Sequence, residues 1–309
     1  MKIYFGLEEF KTIDKAVVTI GTFDGVHLGH KKIISRLKGI AAGENGETVI
    51  LTFSPHPRLV LFPEDNNLKI INTQEEKIEL LDAAGIHHLI IHPFTKEFSR
   101  LSSLEYVRDI LVNKIGTKKL VIGYNHLFGR NREGTFEHLK EFGFTYGFEV
   151  EELPALDVDN VEVSSTKIRK ALLAEDIETA NRYLGYDYPL SGTVVHGSKM
   201  GHSIGFPTAN IIPTDRYKLI PSDGVYAVYA FFAGKEYKAM MNIGVKPTVN
   251  NQNKRSIEAH LFDFNEEIYD KILKVAFKKK LREEKKFDSV EGLKKQLEID
   301  KKNSLEVLR

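Results

Sequence analysis

The sequence contains no cysteine. Disulfide bonds and thiolate metal sites are therefore excluded, and we expect the protein to work in a reducing compartment, the cytoplasm. No apolar run approaches the roughly 20 residues of a membrane span, and the first residues lack the apolar core of a signal peptide. Lysine and arginine (44) nearly balance aspartate and glutamate (43), so composition offers no basic surface for nucleic acid or membrane lipid.

The length and the hydrophobic pattern indicate two domains. A chain of 309 residues exceeds the size at which single hydrophobic cores stop growing. From residue 1 to 185, short apolar runs alternate with amphipathic segments, which is typical of a doubly wound α/β fold around a parallel sheet. The predicted strands are 16–21, 48–53, 87–94, 119–124 and 148–154. The predicted helices are 30–42, 73–85, 102–116, 135–147 and a single long helix over 165–185.

The second half of the chain has a different period. Residues 186–192 are predicted to be a linker, because Pro189 is incompatible with a helix. The later segments are rich in Val, Tyr and Phe and are separated by glycine turns, with a hairpin turn at 233–235. They predict a small antiparallel β-barrel, closed by a C-terminal helix. On one face of that helix lie Val290, Leu293 and Leu297. We therefore expect domains over 1–185 and 186–309.

The stretch GTFDGVHLGH (21–30) follows the first long apolar strand. In a parallel sheet, ligands bind at the carboxyl ends of the strands. The glycines permit close backbone approach to a ligand, and the N-terminus of the next helix favours an anion. His27 and His30 are one helical turn apart, so both imidazoles can donate to phosphate oxygens. The alternatives are a metal site, for which two histidines are too few ligands, and a glycine turn with surface histidines.

A second cluster, VSSTKIRKAL (163–172), opens the last predicted helix of the same half. Ser164 and Ser165 are natural N-cap residues, Thr166 lies in the first turn, and Arg169 shares a helix face with Ser165. Hydroxyl groups and a guanidinium at a helix N-terminus suit a pyrophosphate. The alternative is an ordinary capped helix with one solvated arginine.

In the second half, GSKMGHSIGFPTANI (197–211) carries three glycines before Thr208 and Asn210. These two side chains lie on one side of an extended strand, where two neutral oxygens can complete a Mg²⁺ shell supplied mainly by nucleotide phosphates and water. The alternative is a loop that simply enters a strand.

Glu258 lies in SIEAHLFDF (256–264), a predicted strand. Alternation places it on the same face as Ser256 and His260, opposite Ile257 and Ala259. A glutamate on a solvated sheet face is the ordinary case. Phosphoryl transfer to an alcohol, however, benefits from a carboxylate that accepts the hydroxyl proton, and Glu258 is the candidate.

GTFDGVHLGH together with SSTKIR resembles the paired signature of the HxGH nucleotidyltransferases. TFSPHP (52–57) and GYNHLFGRNREG (123–134) are similar to the flavin adenylyltransferase half of the bacterial bifunctional riboflavin kinase/FMN adenylyltransferase family, the FAD synthetases. The family usually has Asp, and sometimes Asn, at the position of Asn125, and it usually has an aromatic residue at that of His126. These departures concern the flavin end of the pocket.

The resemblance implies transfer of an adenylyl group from ATP to FMN, with release of pyrophosphate. The attacking phosphate is already anionic, so positioning and charge stabilisation suffice without a general base. His30 and Arg169 are expected to stabilise transition-state charge, His27 to hold ATP phosphates and Asn125 to contact the flavin. The remaining expected nucleotide contacts are Gly21, Phe23, Asp24, Gly25, Ser164, Ser165 and Thr166. For Asp24, a Mg²⁺ contact or a role in stabilising the turn are also open.

The second half resembles the riboflavin kinase domain in GFPTAN, PSDGVYAV, NIGVKPTV, IEAHLFDFNEEIYDK and LREEKKFDS. This resemblance implies that Thr208 and Asn210 bind Mg²⁺ and ATP and that Glu258 is the base. It further implies that Arg282 lies near the flavin. Gly201 and Gly205 are expected to contact the nucleotide. His202 stands where the family often has arginine, a departure that concerns the nucleotide loop.

The sequence therefore predicts a bifunctional enzyme with ATP as co-substrate and Mg²⁺ as cofactor. The second domain would phosphorylate riboflavin to FMN, and the first would convert FMN to FAD. We expect small-molecule substrates only and a monomer or weak homo-oligomer. Two alternatives remain: that only one activity is retained, or that the fold serves as a flavin-binding regulator of gene expression, which the near-zero net charge disfavours.

Overall fold

The fold is taken from a computed structural model, which describes residues 1–64, 67–124, 126–158, 161–197, 200–246 and 254–308. The chain forms two compact units. The first contains Met1–Ile70 and Gln74–Ser164, and the second contains Ile71–Thr73 and Ser165–Arg309.

The first unit is built on a six-stranded parallel sheet. Its strands are β1 (Lys2–Tyr4), β2 (Ala16–Ile20), β3 (Glu47–Ser54), β4 (His88–Pro93), β5 (Thr117–Gly123) and β6 (Glu149–Leu153). All five predicted strands are confirmed. The edge strand β1 was not predicted, because its three residues are too short and too exposed to show a period. Two short strands, β7 (Asp157–Val158) and β8 (Val161–Glu162), pair separately as an antiparallel ladder.

The strand order is β1-β4-β3-β2-β5-β6, so the order reverses between β2 and β5. The helices of this unit are α1 (Leu28–Glu44), α2 (Pro57–Leu61), α3 (Gln74–Ala83), α4 (Ser103–Glu105), which continues as a π-helix over Tyr106–Ile115, and α5 (Phe136–Tyr146). Helices α1 and α3 pack on one face of the sheet, and the π-helix and α5 pack on the other. This arrangement confirms the doubly wound fold, and ligand sites in such folds lie outside the point of reversal.

The single helix predicted over 165–185 is wrong, because the structure has two helices there. Helix α6 covers Ser165–Leu173 and α7 covers Ile177–Leu184. Between them Glu175 adopts a left-handed φ of 69°, and the Asp176 side chain caps α7 by accepting from the Thr179 backbone N–H at 2.9 Å. The carboxylate of Glu175 pairs with Lys280 of the barrel at 2.6 Å. Both helices belong to the same compact unit as the barrel.

The second unit contains a closed antiparallel barrel with strand order β10-β13-β12-β11-β14-β9. Its strands are β9 (Tyr188–Val195), β10 (Ala209–Pro213), β11 (Gly224–Phe232), β12 (Lys235–Lys246), β13 (Lys254–Leu261) and β14 (Ile272–Arg282). The predicted hairpin turn is confirmed: Ala233 and Gly234, with φ of 49° and 77°, join β11 to β12.

The predicted linker over 186–192 is wrong in its second part. Tyr188 begins β9 and is fully buried, and its hydroxyl donates to the Leu219 carbonyl at 2.6 Å. Pro189 pairs in register with Ala276 of β14. Proline excludes a helix, but the extended backbone of a strand accommodates its fixed φ. Pro189 therefore predicted correctly that the helical region ends before it. The prediction of a linker there was wrong, because a strand follows.

Two further helices complete this unit, α8 (Met200–Ser203) and α9 (Val290–Val307). The C-terminal helix is confirmed, although Val290 on its predicted apolar face is 57% exposed. The buried residues of α9 are instead Asp300 and Ser304. Asp300 accepts hydrogen bonds from Arg282 Nε and Nη2 at 2.9 and 2.7 Å, which attaches α9 to the end of β14.

We predict that Asp300→Asn lowers the free energy of unfolding by roughly 2–4 kcal/mol, because it removes the charge partner of Arg282 in a buried pair. Urea unfolding followed by far-ultraviolet circular dichroism measures this. The matched control is Glu178→Gln, which breaks the exposed pair between Glu178 and Lys279 (3.3 Å) and costs less than about 1 kcal/mol. Equal effects of the two substitutions would contradict the assignment.

Candidate active sites

The first site is built on residues 21–27, which connect the carboxyl end of β2 to α1. The Gly21 backbone N–H donates to the Leu51 carbonyl of β3 at 3.1 Å, so the chain stays with the sheet until the turn. Phe23 and Val26 adopt left-handed φ values of 47° and 31°, and Gly25 has φ of 94°. Non-glycine residues in this region are strained and persist only where the surroundings impose the conformation. Phe23, Asp24, Gly25 and Val26 are all buried.

His27 and His30 form a stacked pair at the start of α1. Their ring centroids are 3.7 Å apart, and His27 Nδ1 accepts from the His30 backbone N–H at 3.4 Å. In the neutral ring of His27 this leaves the proton on Nε2, which can donate to a ligand. Gly29 permits the stack, since a Cβ there would lie 3.1 Å from the His27 ring. His30 Nδ1 is buried and has no hydrogen-bond partner among the described residues, so it is available to a ligand.

Lys77 of α3 is a basic residue of this site that the sequence analysis missed. Its ammonium donates to the Thr22 carbonyl at 2.8 Å, and the residue is partly buried. Burial lowers the pKa of Lys77, and the charge of Asp24 acts in the opposite direction. Lys77 lies in a charged amphipathic helix, where nothing in the sequence distinguishes it from the surface lysines.

The pKa of His30 is held well below its ordinary value, first by burial and then by electrostatic repulsion from His27 and Lys77. His30 is therefore a neutral imidazole at pH 7. Arrival of an anionic phosphate would offset this repulsion, which gives the site a preference for anions.

The segment after β5 lies on the other side of the strand reversal. A Cβ at Gly123 would lie 3.1 Å from Cδ1 of Ile33, one turn after His30, so this segment borders α1. Asn125 lies outside the residues that the structure describes. His126 Nε2 is buried without a hydrogen-bond partner in the described part of the chain. Burial, followed by the charge of Arg132, lowers the pKa of His126 to about 4.

The SSTKIR segment spans the boundary between the compact units. Ser164 ends the first unit, and Ser165 opens α6, which also carries Thr166 and Arg169, in the second. Within the first unit, a Cβ at Gly29 would lie 3.8 Å from the Val163 carbonyl. A common site formed by the two predicted motifs stays a prediction.

The second site lies on three neighbouring strands of the barrel. Asn210 of β10 pairs in register with Glu258 of β13, which in turn pairs with Asn242 of β12. Residues directly opposite in an antiparallel sheet project on the same face. The three polar side chains therefore form a row. Glu258 alternates with buried Ile257 and Ala259, as predicted.

Thr208 joins this row from the residue before β10. Its Oγ1 donates to Glu258 Oε2 at 3.3 Å. A hydroxyl that donates its proton keeps two lone pairs, which can accept from a ligand or bind a cation. Gly197 packs against the Asn210 carboxamide without space for a Cβ. This close approach restricts where the Asn210 amide can lie.

The loop before Thr208 is held by short-range contacts. The Phe206 backbone N–H donates to the Gly201 carbonyl at 2.8 Å, and Gly205 has a left-handed φ of 85° after His202 of α8. His260 Nδ1 donates to the Pro207 carbonyl at 2.7 Å. The loop therefore has an internal turn and one fixed attachment to β13.

Arg282, predicted near the flavin, is bound through its guanidinium to Asp300 in the structure. Its CZ atom lies 5.9 Å from the centroid of the Phe287 ring. The following loop brings Glu284 Oε1 to 3.5 Å from Asn242 Nδ2, at the end of the polar row. The sequence pattern did not indicate a role for Asn242 or Glu284. For Asn242 the signal existed, since NIGVKPTV was singled out without a role for its first residue.

Two family models match the chain. A FAD synthetase model matches residues 9–167, and a riboflavin kinase model matches residues 184–308. These matches define the protein as an ATP-dependent transferase with two enzyme domains.

Known relatives match nearly the full length. The bifunctional riboflavin kinase/FMN adenylyltransferases of Buchnera aphidicola subsp. Schizaphis graminum (strain Sg) and subsp. Acyrthosiphon pisum (strain APS) are 39% and 36% identical to this chain. Each alignment covers 97% of this chain and 96% of the relative. A crystal structure from Streptococcus pneumoniae, described as a macrolide-efflux protein, has a TM-score of 0.89 at 31% identity and covers 98% of both chains.

The chain belongs to the bifunctional riboflavin kinase/FMN adenylyltransferase family. The predicted family, fold class and order of the two enzyme domains are confirmed. Across the described ranges, no helix is long and apolar enough to cross a membrane.

We predict that His126→Phe reduces the acid sensitivity of folding. The unfolded chain binds a proton on His126 below about pH 6.5, whereas the folded chain does so only below about 4. The contribution of neutral His126 to the free energy of unfolding is therefore fully present above about pH 6.5 and falls as the pH decreases toward 4. Between pH 7 and 5 this amounts to about 2 kcal/mol, which the phenylalanine variant would not lose. Urea unfolding at both pH values measures the difference, and an equal loss in both proteins would contradict the assignment.

Proposed function

We propose that the chain carries two separate active sites, one for each transfer from ATP. The C-terminal half phosphorylates riboflavin to FMN, and the N-terminal half transfers AMP to FMN, forming FAD and pyrophosphate. One contrast carries the proposal. The polar row of the barrel contains the Glu258 carboxylate, which accepts a hydrogen bond from Thr208 and lies opposite the neutral Asn210. The site after β2 instead presents the stacked imidazoles of His27 and His30, and His30 Nδ1 has no hydrogen-bond partner among the described residues.

In the kinase site, Glu258 accepts the proton of the attacking riboflavin hydroxyl. Thr208 orients the carboxylate through its hydrogen bond, and Asn210 lies opposite Glu258 on the next strand. The loop containing Gly201 and Gly205 approaches the nucleotide with its backbone. Arg282 acts at the flavin end of this site, oriented by Asp300. The reaction then needs proton removal at one atom and charge stabilisation on the phosphates.

Mg²⁺ is proposed as the cofactor of the kinase site. Within the described part of the chain, no group of three or more His, Asp or Glu side chains could hold a metal ion. Magnesium commonly takes only one or two protein ligands and completes its shell with substrate phosphates and water. The neutral oxygens of Thr208 and Asn210 fit that role. When bound with ATP, the ion would neutralise phosphate charge.

In the adenylyltransferase site, the attacking FMN phosphate needs no base. His27 donates from Nε2 to the ATP phosphates, and His30 binds the phosphate that is attacked. Arg169, Ser165 and Thr166 would hold the pyrophosphate, with Ser164. Gly21, Phe23, Asp24 and Gly25 form the turn that the nucleotide contacts, and Asn125 is assigned to the flavin.

The proposed functional boundary lies at residue 185, with domains over 1–185 and 186–309. The substrates are riboflavin, FMN and ATP, in the cytoplasm. Nucleic acid and membrane are not proposed as partners, and the expected assembly is a monomer or weak homo-oligomer.

Two assays of the purified protein test the proposal. One supplies riboflavin with ATP and Mg²⁺, and the other supplies FMN with ATP and Mg²⁺. FMN formation in the first and FAD formation in the second are expected. Failure of either assay would leave a protein with one activity. Failure of both, together with salt-sensitive binding to RNA or DNA, would favour a regulator instead.

We predict that Glu258→Gln lowers the rate of FMN formation by about 100-fold or more, because the hydroxyl proton loses its acceptor. Conversion of FMN to FAD should remain within about twofold, since the site after β2 is unchanged. Glu236→Gln, at an exposed position of β12, is the matched control. Equal loss of both activities in the Glu258 variant would contradict separate sites.

His30→Ala should show the opposite pattern. It removes one donor to the reacting phosphate, which typically costs about 10²- to 10³-fold in rate. Riboflavin phosphorylation by the same preparation serves as the internal control and should be unchanged. Retention of FAD formation at the wild-type rate would remove His30 from the proposed site.

A further inference from the structure

We propose that Lys77 is a positioning residue for adenylyl transfer, acting through its positive charge on the turn that carries Asp24 and on His30. This inference rests on the proposed function of the site after β2. It adds a residue from α3, an element to which the sequence assigned no role.

The first observation is the location of the ammonium. Lys77 Nζ donates to the carbonyl of Thr22, near the start of the turn between β2 and α1. That turn contains the left-handed residues Phe23 and Val26, whose conformation the surroundings must impose. The Lys77 ammonium of α3 therefore provides this turn with a hydrogen bond from a different part of the chain.

The second observation is the charge environment. Lys77 is partly buried and interacts electrostatically with Asp24 and with His30. A charge withdrawn from water is costly unless another group compensates it, and Asp24, itself only 2% exposed, supplies the opposite charge. A hydrogen bond to one carbonyl could be made by a neutral side chain. A positive charge at this position also favours the anionic phosphates of the proposed substrates.

The consequence is specific for the reaction step. The Thr22 carbonyl takes one of the three N–H donors of the Lys77 ammonium and fixes where the charge lies. Its charge and its hold on the turn set the placement of the two histidines when negative charge develops on the reacting phosphate. Interactions of this kind change kcat more than KM.

Three variants separate the charge from the hydrogen bond. Lys77→Arg keeps the charge, Lys77→Gln keeps a neutral donor, and Lys77→Met removes both. The matched control is Lys38→Met, which breaks another lysine–carbonyl contact between α1 and the end of α3, Lys38 to Ala84 at 2.7 Å. The measured quantities are kcat and KM for ATP in FAD formation, with FMN formation and thermal unfolding of the same proteins.

We expect the Gln and Met variants to lose about tenfold or more in kcat for FAD formation, with KM for ATP within about threefold. The Arg variant and the Lys38 variant should stay within about threefold of the wild type, and FMN formation should be unchanged throughout. If the Met variant does not fold, the comparison of Gln with Arg still decides.

Wild-type turnover in the Gln variant would overturn the proposal, because a neutral donor would then suffice. Equal loss in Arg and Gln, or in the Lys38 control, would also overturn it. A wild-type protein that forms no FAD would overturn the proposed function instead.

Discussion

The reversal of strand order between β2 and β5 is the constraint on which the first site depends. Because the chain leaves these neighbouring strands toward opposite faces of the sheet, their carboxyl ends border an open crevice. The strained turn and the histidine pair follow β2, and the segment containing His126 follows β5. Helix α3 adds Lys77 from outside. The groups proposed to handle the phosphates in this unit are thus brought together by topology.

In the barrel, the register of strand pairing brings the proposed site residues together. Antiparallel pairing places Asn210, Glu258 and Asn242 in one row across three strands, and Thr208 bonds to the carboxylate from the adjoining loop. The buried pair between Arg282 and Asp300 attaches α9 and orients the loop that carries Glu284. In the first unit, the proposed site lies at the carboxyl ends of the strands. In the barrel, the proposed site is formed by side chains along the strands.

The sequence predicted those parts that follow from local periodicity. The apolar runs identified five sheet strands, and alternation placed Glu258 on the face opposite Ile257. It did not predict Lys77, Glu284 or the buried Asp300, because each gains its role from a contact with a distant element. The break at Glu175 was missed because its polar residues also suit an exposed helix face. The strand that begins at Tyr188 was not predicted, because Pro189 excludes a helix without distinguishing a linker from a strand.

The two proposed sites direct attack at different phosphorus atoms of ATP: the riboflavin hydroxyl attacks the γ-phosphorus in one, and the FMN phosphate attacks the α-phosphorus in the other. The most direct measurement supplies riboflavin with ATP labelled at either the α- or the γ-phosphorus and follows the label into the flavins. The account predicts γ-label in FMN and in FAD, and α-label in FAD alone. Absence of α-label from every flavin product, or its appearance in FMN, would contradict it.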